Sequence, residues 1–233
     1  MLPYFYIQSF NPGQSSIVLD EDNSRHAIQA LRMKTGDAMH LTDGNGHLLT
    51  AVITNDHKKH CEVRIDFIEP KPKTGPEVTI AIGLTKNAAR FEWFLEKAAE
   101  LGVSRVIPLI TKRTEKQKFK EERLQNILVS AMLQSQQAWL LQLQAPVTFD
   151  DFIHAEAFQA VTNKYIAHCI ETDKQSLQYH ASPSIILIGP EGDFTQEEIT
   201  MALEKGYRPV TLGSTRLRTE TAGMVAAALL RVG

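Results

Sequence analysis

Twice within residues 184–228 an apolar run breaks at glycine and passes into a helix start, and few arrangements of strands and helices satisfy that pattern twice in so short a span. First, Ile185, Ile186, Leu187 and Ile188 run into Gly189, Pro190, Glu191, Gly192 and Asp193, and a polar helix signal begins at Thr195. Next, Pro209, Val210, Thr211 and Leu212 run into Gly213, Ser214 and Thr215, and a helix rich in small residues follows Arg218, Thr219, Glu220 and Thr221. A strand that turns through glycine into a helix leaves unpaired amide N–H groups at the turn, and these can hold a polar ligand. The pair of breaks reads as a cofactor pocket, and the rest of the chain as what brings a second substrate to it.

Thr195 and Glu198 have the spacing of a capping box, which fixes a helix start after the first glycine loop, and Gly206 ends that helix. Neither a GxGxxG fingerprint nor a GxxxxGK[ST] loop is present, so the usual dinucleotide and nucleoside-triphosphate readings lose their support. Upstream, residues 78–84 read as a buried parallel strand, and a helix from Ala88 to Leu101 carries Phe91, Phe94, Leu95 and Ala98 at helical spacing before Gly102. Residues 103–110 form the next strand, residues 120–139 a long polar helix, and residues 165–169 a further strand. Alternating strands and helices of this kind predict an α/β domain with a mostly parallel sheet.

Residues 1–70 read differently. Short runs at 17–19, 38–41, 47–53 and 61–68 are strand candidates, the last with Cys61, Val63, Ile65 and Phe67 on one face. Residues 43–46 (DGNG) are a hairpin turn, and one helix, capped by Asp22 or Ser24, presents Ala27, Ile28 and Leu31 and stops near Gly36. This predicts a small β-barrel with one helix over residues 1–70, a proline- and glycine-rich linker at 71–76, and a second domain over 77–233. His26, Arg32 and Lys34 lie on or after the helix of the first domain; they read either as phosphate or base contacts or as a solvated helix end.

Composition excludes more than it selects. A hydrophobic content of 43% and a charged content of 22% suit a folded globule, and a formal net charge of −2 rules out a polyanion binder that works by bulk charge. Any nucleic-acid contact must come from a local patch. Cys61 and Cys169 are isolated and lack metal-ligand spacing, so no metal is expected. The start lacks a signal-peptide pattern and no apolar run reaches membrane-spanning length; the expectation is a cytoplasmic protein with reduced thiols and no membrane partner.

Together, residues 188–192 (IGPEG), Leu212-Gly213 and residues 217–222 (LRTETA) resemble the signature of the SPOUT-class, trefoil-knotted RNA methyltransferases. Residues 26–32 with Gly36, and residues 96–103, resemble further segments of one branch, the ribosomal small subunit methyltransferase E family, which methylates N3 of a uridine in 16S ribosomal RNA. The resemblance spans the whole chain. It implies a PUA-like first domain, a second domain with a deep trefoil knot, S-adenosyl-L-methionine as cofactor, and a homodimer with the pocket near its interface. It places the cofactor on Gly189, Pro190, Glu191, Gly192, Leu212, Gly213, Leu217, Glu220 and Thr221. Asp193 departs from the family pattern, where a second glycine is common, and Leu133 and Gln137 replace charged positions of a helical element.

The N3 of uridine is an imide N–H whose nucleophilic form is the anion, so the site needs a base or groups that favour the anion. Arg218 is the candidate for electrostatic stabilisation or for positioning a phosphate of a flipped nucleotide. Lys97 and Arg113 are further RNA-binding candidates alongside His26 and Arg32, with surface ion pairing as the plain alternative. The modest net charge points to 16S RNA in the assembled small subunit rather than bare RNA. Two other readings stay open at this level: a knotted methyltransferase acting on another RNA, such as a ribose 2′-hydroxyl of transfer RNA, and an RNA-binding protein without catalysis.

Overall fold

The computed structural model of the chain describes residues 2–115 and 119–232. Contacts divide it into two units, one of Met1–Lys73 with Met132–Leu140, the other of Thr74–Ala131 with Leu141–Gly233.

In the first unit, β1 (Tyr4–Tyr6), β2 (Ser16–Val18), β3 (Ala38–Thr42), β4 (His47–Asn55) and β5 (Glu62–Pro70) form one sheet in the order β1-β3-β4-β5-β2. β1 runs parallel to β3, and the other pairs are antiparallel. Alternation puts Phe5, Met39, Leu41, Leu49, Ala51, Ile53 and Val63 on one buried face, as period-2 patterning requires. The turn expected between β3 and β4 forms, with Gly44 and Gly46 at φ 69° and 90°. Trp139 returns to this turn: its indole N–H donates to Lys71 O at 2.7 Å, and its ring occupies the space a side chain at position 46 would need.

Three readings change here. The helix α1 (Glu21–Arg25) is capped by Asp20, which accepts from Asn23 N, rather than by Asp22 or Ser24. Ser24 is turned inward instead; its hydroxyl donates to Leu19 O and accepts from Cys61 N, tying the helix to the start of β5. The helix then widens into a π-turn over His26–Ala30 and ends before Arg32, at φ 58°. Phe67 does not share the inner face with Val63. A bulge opposite Thr50 and Ala51 inserts a residue in β5, so Ile65 and Ile68 pack inward while Phe67 is 61% exposed.

The second unit contains β6 (Val78–Gly83), α2 (Ala88–Glu100), β7 (Arg105–Ile110), β8 (Gln142–Leu143), β9 (Val147–Thr148), α4 (Phe149–His154), β10 (Asn163–Ala167), β11 (Gln175–Ser176), β12 (Ser184–Ile188), α5 (Gln196–Glu204), β13 (Arg208–Thr211) and α6 (Thr219–Arg231); α3 (Glu121–Gln134) carries the chain across the division. The helix expected to reach Trp139 stops at Gln134 because Gln136 adopts φ 56°, and the residues beyond it join the first unit. The sheet order is β11-β13-β10-β12-β6-β7-β8, with β9 beside β7, and every described pairing is parallel. Ile80, Ala81, Ile82, Ile185, Ile186, Leu187 and Ile188 are buried, as the unbroken apolar runs predict for strands covered on both faces.

Parallel strands deliver all their C-terminal ends to one edge of the sheet. The chain leaves β6 toward β7 on one side, while β12 and β10 fill the other, so that edge has a switch point where ligands gather. Helix α6 packs against α2, β6 and β12. A Cβ at Gly223 would lie 2.6 Å from the Phe94 ring and 2.8 Å from Ile82 Cδ1, so this helix comes as close as a bare backbone allows. Gly223→Ala gains about 1 kcal/mol of helix propensity but overpacks a site next to fully buried Phe94, at a cost of about 1–3 kcal/mol. The expected outcome is net destabilisation, read as a lower urea midpoint with an unchanged slope.

Candidate active site

The first glycine loop leaves β12 in the middle of the sheet and is held by its neighbours on both sides. Toward β6, Gly83 gives it room: a Cβ there would sit 2.5 Å from Pro190 N. The backbone N–H of Lys86, past β6, donates to Glu191 Oε1 at 2.9 Å. Farther along, past β7, Lys112 N donates to Glu198 Oε1 at 2.9 Å, and Arg113 Nη1 donates to Gly192 O at 2.7 Å and Phe194 O at 3.4 Å. The other Glu198 oxygen accepts from Thr195 N at 2.8 Å while Thr195 Oγ1 accepts from Glu198 N, so the capping box forms as its spacing predicts.

On the opposite side, Asp193 reaches the segment after β10. Its Oδ2 accepts from Cys169 N at 2.8 Å and its Oδ1 from Phe194 N at 2.8 Å. Its φ of 64° is the left-handed conformation that a glycine would take more easily. The aspartate thus keeps the turn a glycine would make and adds a carboxylate strap to the neighbouring strand end. The second glycine loop, past β13, is closed by Thr211, whose hydroxyl donates to Gly213 O at 2.8 Å and accepts from Gly213 N; Gly213 has φ 136°.

Between these segments lies a cavity of about 710 Å³, within the size range of cofactor pockets. The glycine loops face it together. Gly189, Pro190, Glu191, Leu212, Gly213 and Leu217 line it, with Arg218 at the start of α6. Gly192, Glu220 and Thr221 are not in the wall. Gly192 backs onto the Arg113 side chain. Glu220 is buried, with Oε1 3.7 Å from Arg90 Nε and Oε2 without a hydrogen-bond partner among the described residues. Arg218 is exposed and makes no side-chain capping bond.

The cations proposed for RNA fall in different settings. His26 and Arg32 are exposed on the first unit, His26 with its ring edge-on to Phe5. Lys97 is held by Glu96 at 2.7 Å and Glu100 at 2.9 Å, and these bonds raise its pKa. Arg113 grips the glycine loop as described. Surface pairing and loop support thus account for the last two side chains without a ligand.

Sequence reading missed the third wall of the cavity. Ala167, His168, Cys169 and Lys174, at and beyond the end of β10, all line it, as does Arg216. His168 is 8% exposed, and neither Nδ1 nor Nε2 has a hydrogen-bond partner among the described residues. Burial, then the nearby Lys174 ammonium, push its pKa down, while Asp193 and the nearby Ile170 backbone act the other way. Lys174 Nζ donates to the His168 carbonyl oxygen at 2.6 Å. The available signal was positional: a strand predicted over 165–169 between two glycine-loop units had to end at the same edge. Among the described residues no cluster of His, Cys, Asp and Glu could hold a metal ion, and no helix is long and apolar enough to cross a membrane.

Comparison with known proteins gives the architecture a lineage. Residues 72–231 match the model of an RNA methyltransferase domain, and residues 19–66 that of an RNA methyltransferase PUA domain. A ribosomal RNA small subunit methyltransferase E of Synechocystis sp. is 30% identical, over 92% of this chain and 72% of that protein. A crystal structure described as a probable rRNA-methyltransferase from Porphyromonas gingivalis superposes with a TM-score of 0.89 at 38% identity, covering 97% of this chain and 95% of the other. The ribosomal RNA small subunit methyltransferase E of Neisseria gonorrhoeae, solved bound to S-adenosyl methionine, superposes with a TM-score of 0.86 at 28% identity, covering 98% and 96%. With a PUA domain ahead of a parallel α/β domain whose glycine loops wall one cavity, the chain belongs to the ribosomal RNA small subunit methyltransferase E family.

Proposed function

We propose that this chain transfers a methyl group from S-adenosyl-L-methionine to N3 of a uridine in 16S ribosomal RNA. The observation that carries the proposal is the cavity at the C-terminal edge of β10, β12 and β13, walled by both glycine loops and overlooked by the exposed Arg218. Its volume and lining fit the cofactor. Gly189 is packed so that a Cβ would lie 3.1 Å from Asp193 Cα and from Phe194 N, which keeps the loop backbone itself as the wall. Lys174 and Arg216 supply cations suited to a carboxylate, and His168 has two ring nitrogens without a hydrogen-bond partner among the described residues. We place the cofactor on Gly189, Pro190, Glu191, Leu212, Gly213 and Leu217, with Gly192, Glu220 and Thr221 shaping the loops from behind.

Bound there, the cofactor supplies a methyl group on a positively charged sulfur. The chain's share of the reaction is alignment and charge. Rigid loops hold the donor in one orientation, which removes much of the entropic part of the barrier. With the imide proton released to solvent, the Arg218 guanidinium would offer N–H donors to the uracil oxygens and favour the imide anion, whose N3 would take the methyl group as the carbon–sulfur bond breaks. His26 and Arg32, exposed on the PUA unit, contact the RNA backbone.

The same family reading extends to a homodimer, to a trefoil knot in the second unit and to the assembled small subunit as substrate. The tight seat of α6 at Gly223 supports the knot, and the net charge of −2 supports a structured particle over bare RNA.

Two outcomes test the site. Arg218→Ala lowers turnover by about 100-fold or more while cofactor affinity, measured by calorimetry, stays within a few-fold. An unchanged rate removes Arg218 from the mechanism. Small subunits from cells lacking the protein, incubated with it and S-adenosyl-L-methionine, gain a methyl group that nucleoside mass spectrometry locates on uridine N3; a methyl group on a ribose 2′-oxygen overturns the assignment, and no methyl group overturns catalysis.

A further inference from the structure

His168 is a polar group of the cavity wall that is both buried and unpaired among the described residues. Asp193 is engaged by the amides of Cys169 and Phe194, Glu191 by the amide of Lys86, and Lys174 by the His168 carbonyl oxygen. The His168 ring is more than nine-tenths buried, lines the cavity, and has neither nitrogen paired among the described residues. Burying a polar group without a partner is costly, and such a group in a pocket wall marks a place for a ligand's polar atoms. Its backbone is fixed on both sides, by the pairing of β10 with β12 and β13 and by the Asp193 strap on the next amide. The ring is therefore presented to the cavity by a rigid strand end.

We propose that His168 is a direct hydrogen-bonding partner of the bound cofactor, one ring nitrogen donating and the other accepting. This rests on the reading that the cavity takes S-adenosyl-L-methionine. That ligand carries hydroxyl, amino and purine groups, which supply both complements to a neutral imidazole.

The charge state follows from the surroundings. Burial and Lys174 disfavour the imidazolium; Asp193, already shared between two amides, and the nearby Ile170 backbone, which does not reach hydrogen-bond geometry with the ring, oppose them. The remaining charged groups of the wall are Glu191, Arg216 and Arg218, with the Cys169 thiol beside the ring's own residue. A neutral ring suits a ligand bearing a sulfonium charge; a protonated one sets like charge against it across a partly buried wall. Because the ligand selects the unprotonated ring, affinity is highest at and above neutral pH and falls as pH drops through the ring's own pKa, which lies below the ordinary histidine value.

The test is calorimetric titration of S-adenosyl-L-methionine and S-adenosyl-L-homocysteine into the full chain and into His168→Ala and His168→Asn. At pH 7.5, His168→Ala binds both ligands about tenfold or more weakly, and His168→Asn recovers part of the loss, since an amide also donates and accepts. As pH is lowered from 7.5 through the ring's lowered pKa, the unmodified chain loses affinity and the variants lose less. Nitrogen NMR of the His168 ring shows one tautomer fixed on ligand addition. His168→Ala binding both ligands within twofold of the unmodified chain, or a ring signal that ligand does not move, overturns the proposal while leaving the cofactor reading intact. If the unmodified chain binds neither ligand, the cofactor reading falls first and this one with it. Should His168→Ala fail to fold, by near-ultraviolet circular dichroism, His168→Asn and the ring signal of the unmodified chain decide.

Discussion

The second unit depends on carboxylates that close backbone amides belonging to other strands. Glu191 takes the amide of Lys86, Asp193 that of Cys169, and Glu198 that of Lys112, so the loop after β12 is tied to the segments after β6, β10 and β7. Loops at a sheet edge carry unpaired N–H groups, and an ionised acceptor satisfies them about twice as strongly as a neutral one. Each tie is worth about 1.5–3 kcal/mol where it is shielded, and Glu198, which is 1% exposed, is the best shielded of them. The consequence reaches function directly. A pocket whose wall is made of backbone keeps its shape only if something fixes that backbone, and here the fixing carboxylates are engaged with backbone amides, Glu191 and Asp193 in the wall itself. A ligand does not have to order the loop before using it.

Close packing is the second constraint, and glycine meets it where the strands and helices need it. Gly83 lets the Pro190 backbone lie against the end of β6, and Gly223 lets α6 lie against Phe94 and Ile82. Both glycines have negative or extended backbone angles that any residue can adopt, since neither is among the positive-φ positions. Space, not conformation, requires them. Asp193 is the converse case: its conformation favours glycine, yet its side chain does what glycine cannot.

What was legible in the sequence follows from this division. Buried parallel strands announce themselves as unbroken apolar runs, so β6, β7 and β12 stand where residues 78–84, 103–110 and 185–188 place them, within a residue or two. The cap at Thr195 and the stop at Gly206 depend on neighbours three or four residues away and were equally plain. Features set by distant chain were not. The end of α3 is decided by Trp139 and its neighbours joining the first unit, and nothing in the polar stretch before Gln134 signals it. The outward turn of Phe67 comes from a bulge against Thr50, a cross-strand matter that simple alternation cannot register. His168 looks like any histidine after a short strand until the fold sets it against a cavity, with no hydrogen-bond partner for its ring among the described residues.

Charge shows the same economy. Much of the surface's positive charge is matched locally: Arg64 with Asp66, Arg123 with Glu92, Lys97 with Glu96 and Glu100. These exposed pairs contribute little to stability. Arg218 and Arg216 are set apart by their place at the cavity, where neither is paired with a carboxylate among the described residues. A chain of net charge −2 cannot gather nucleic acid by bulk attraction, and a local pair of unmatched guanidinium groups is the kind of feature that positions one phosphate or one base instead. Selectivity in such a protein comes from presenting few cations in the right place, on a backbone held still by acids that are themselves fully engaged.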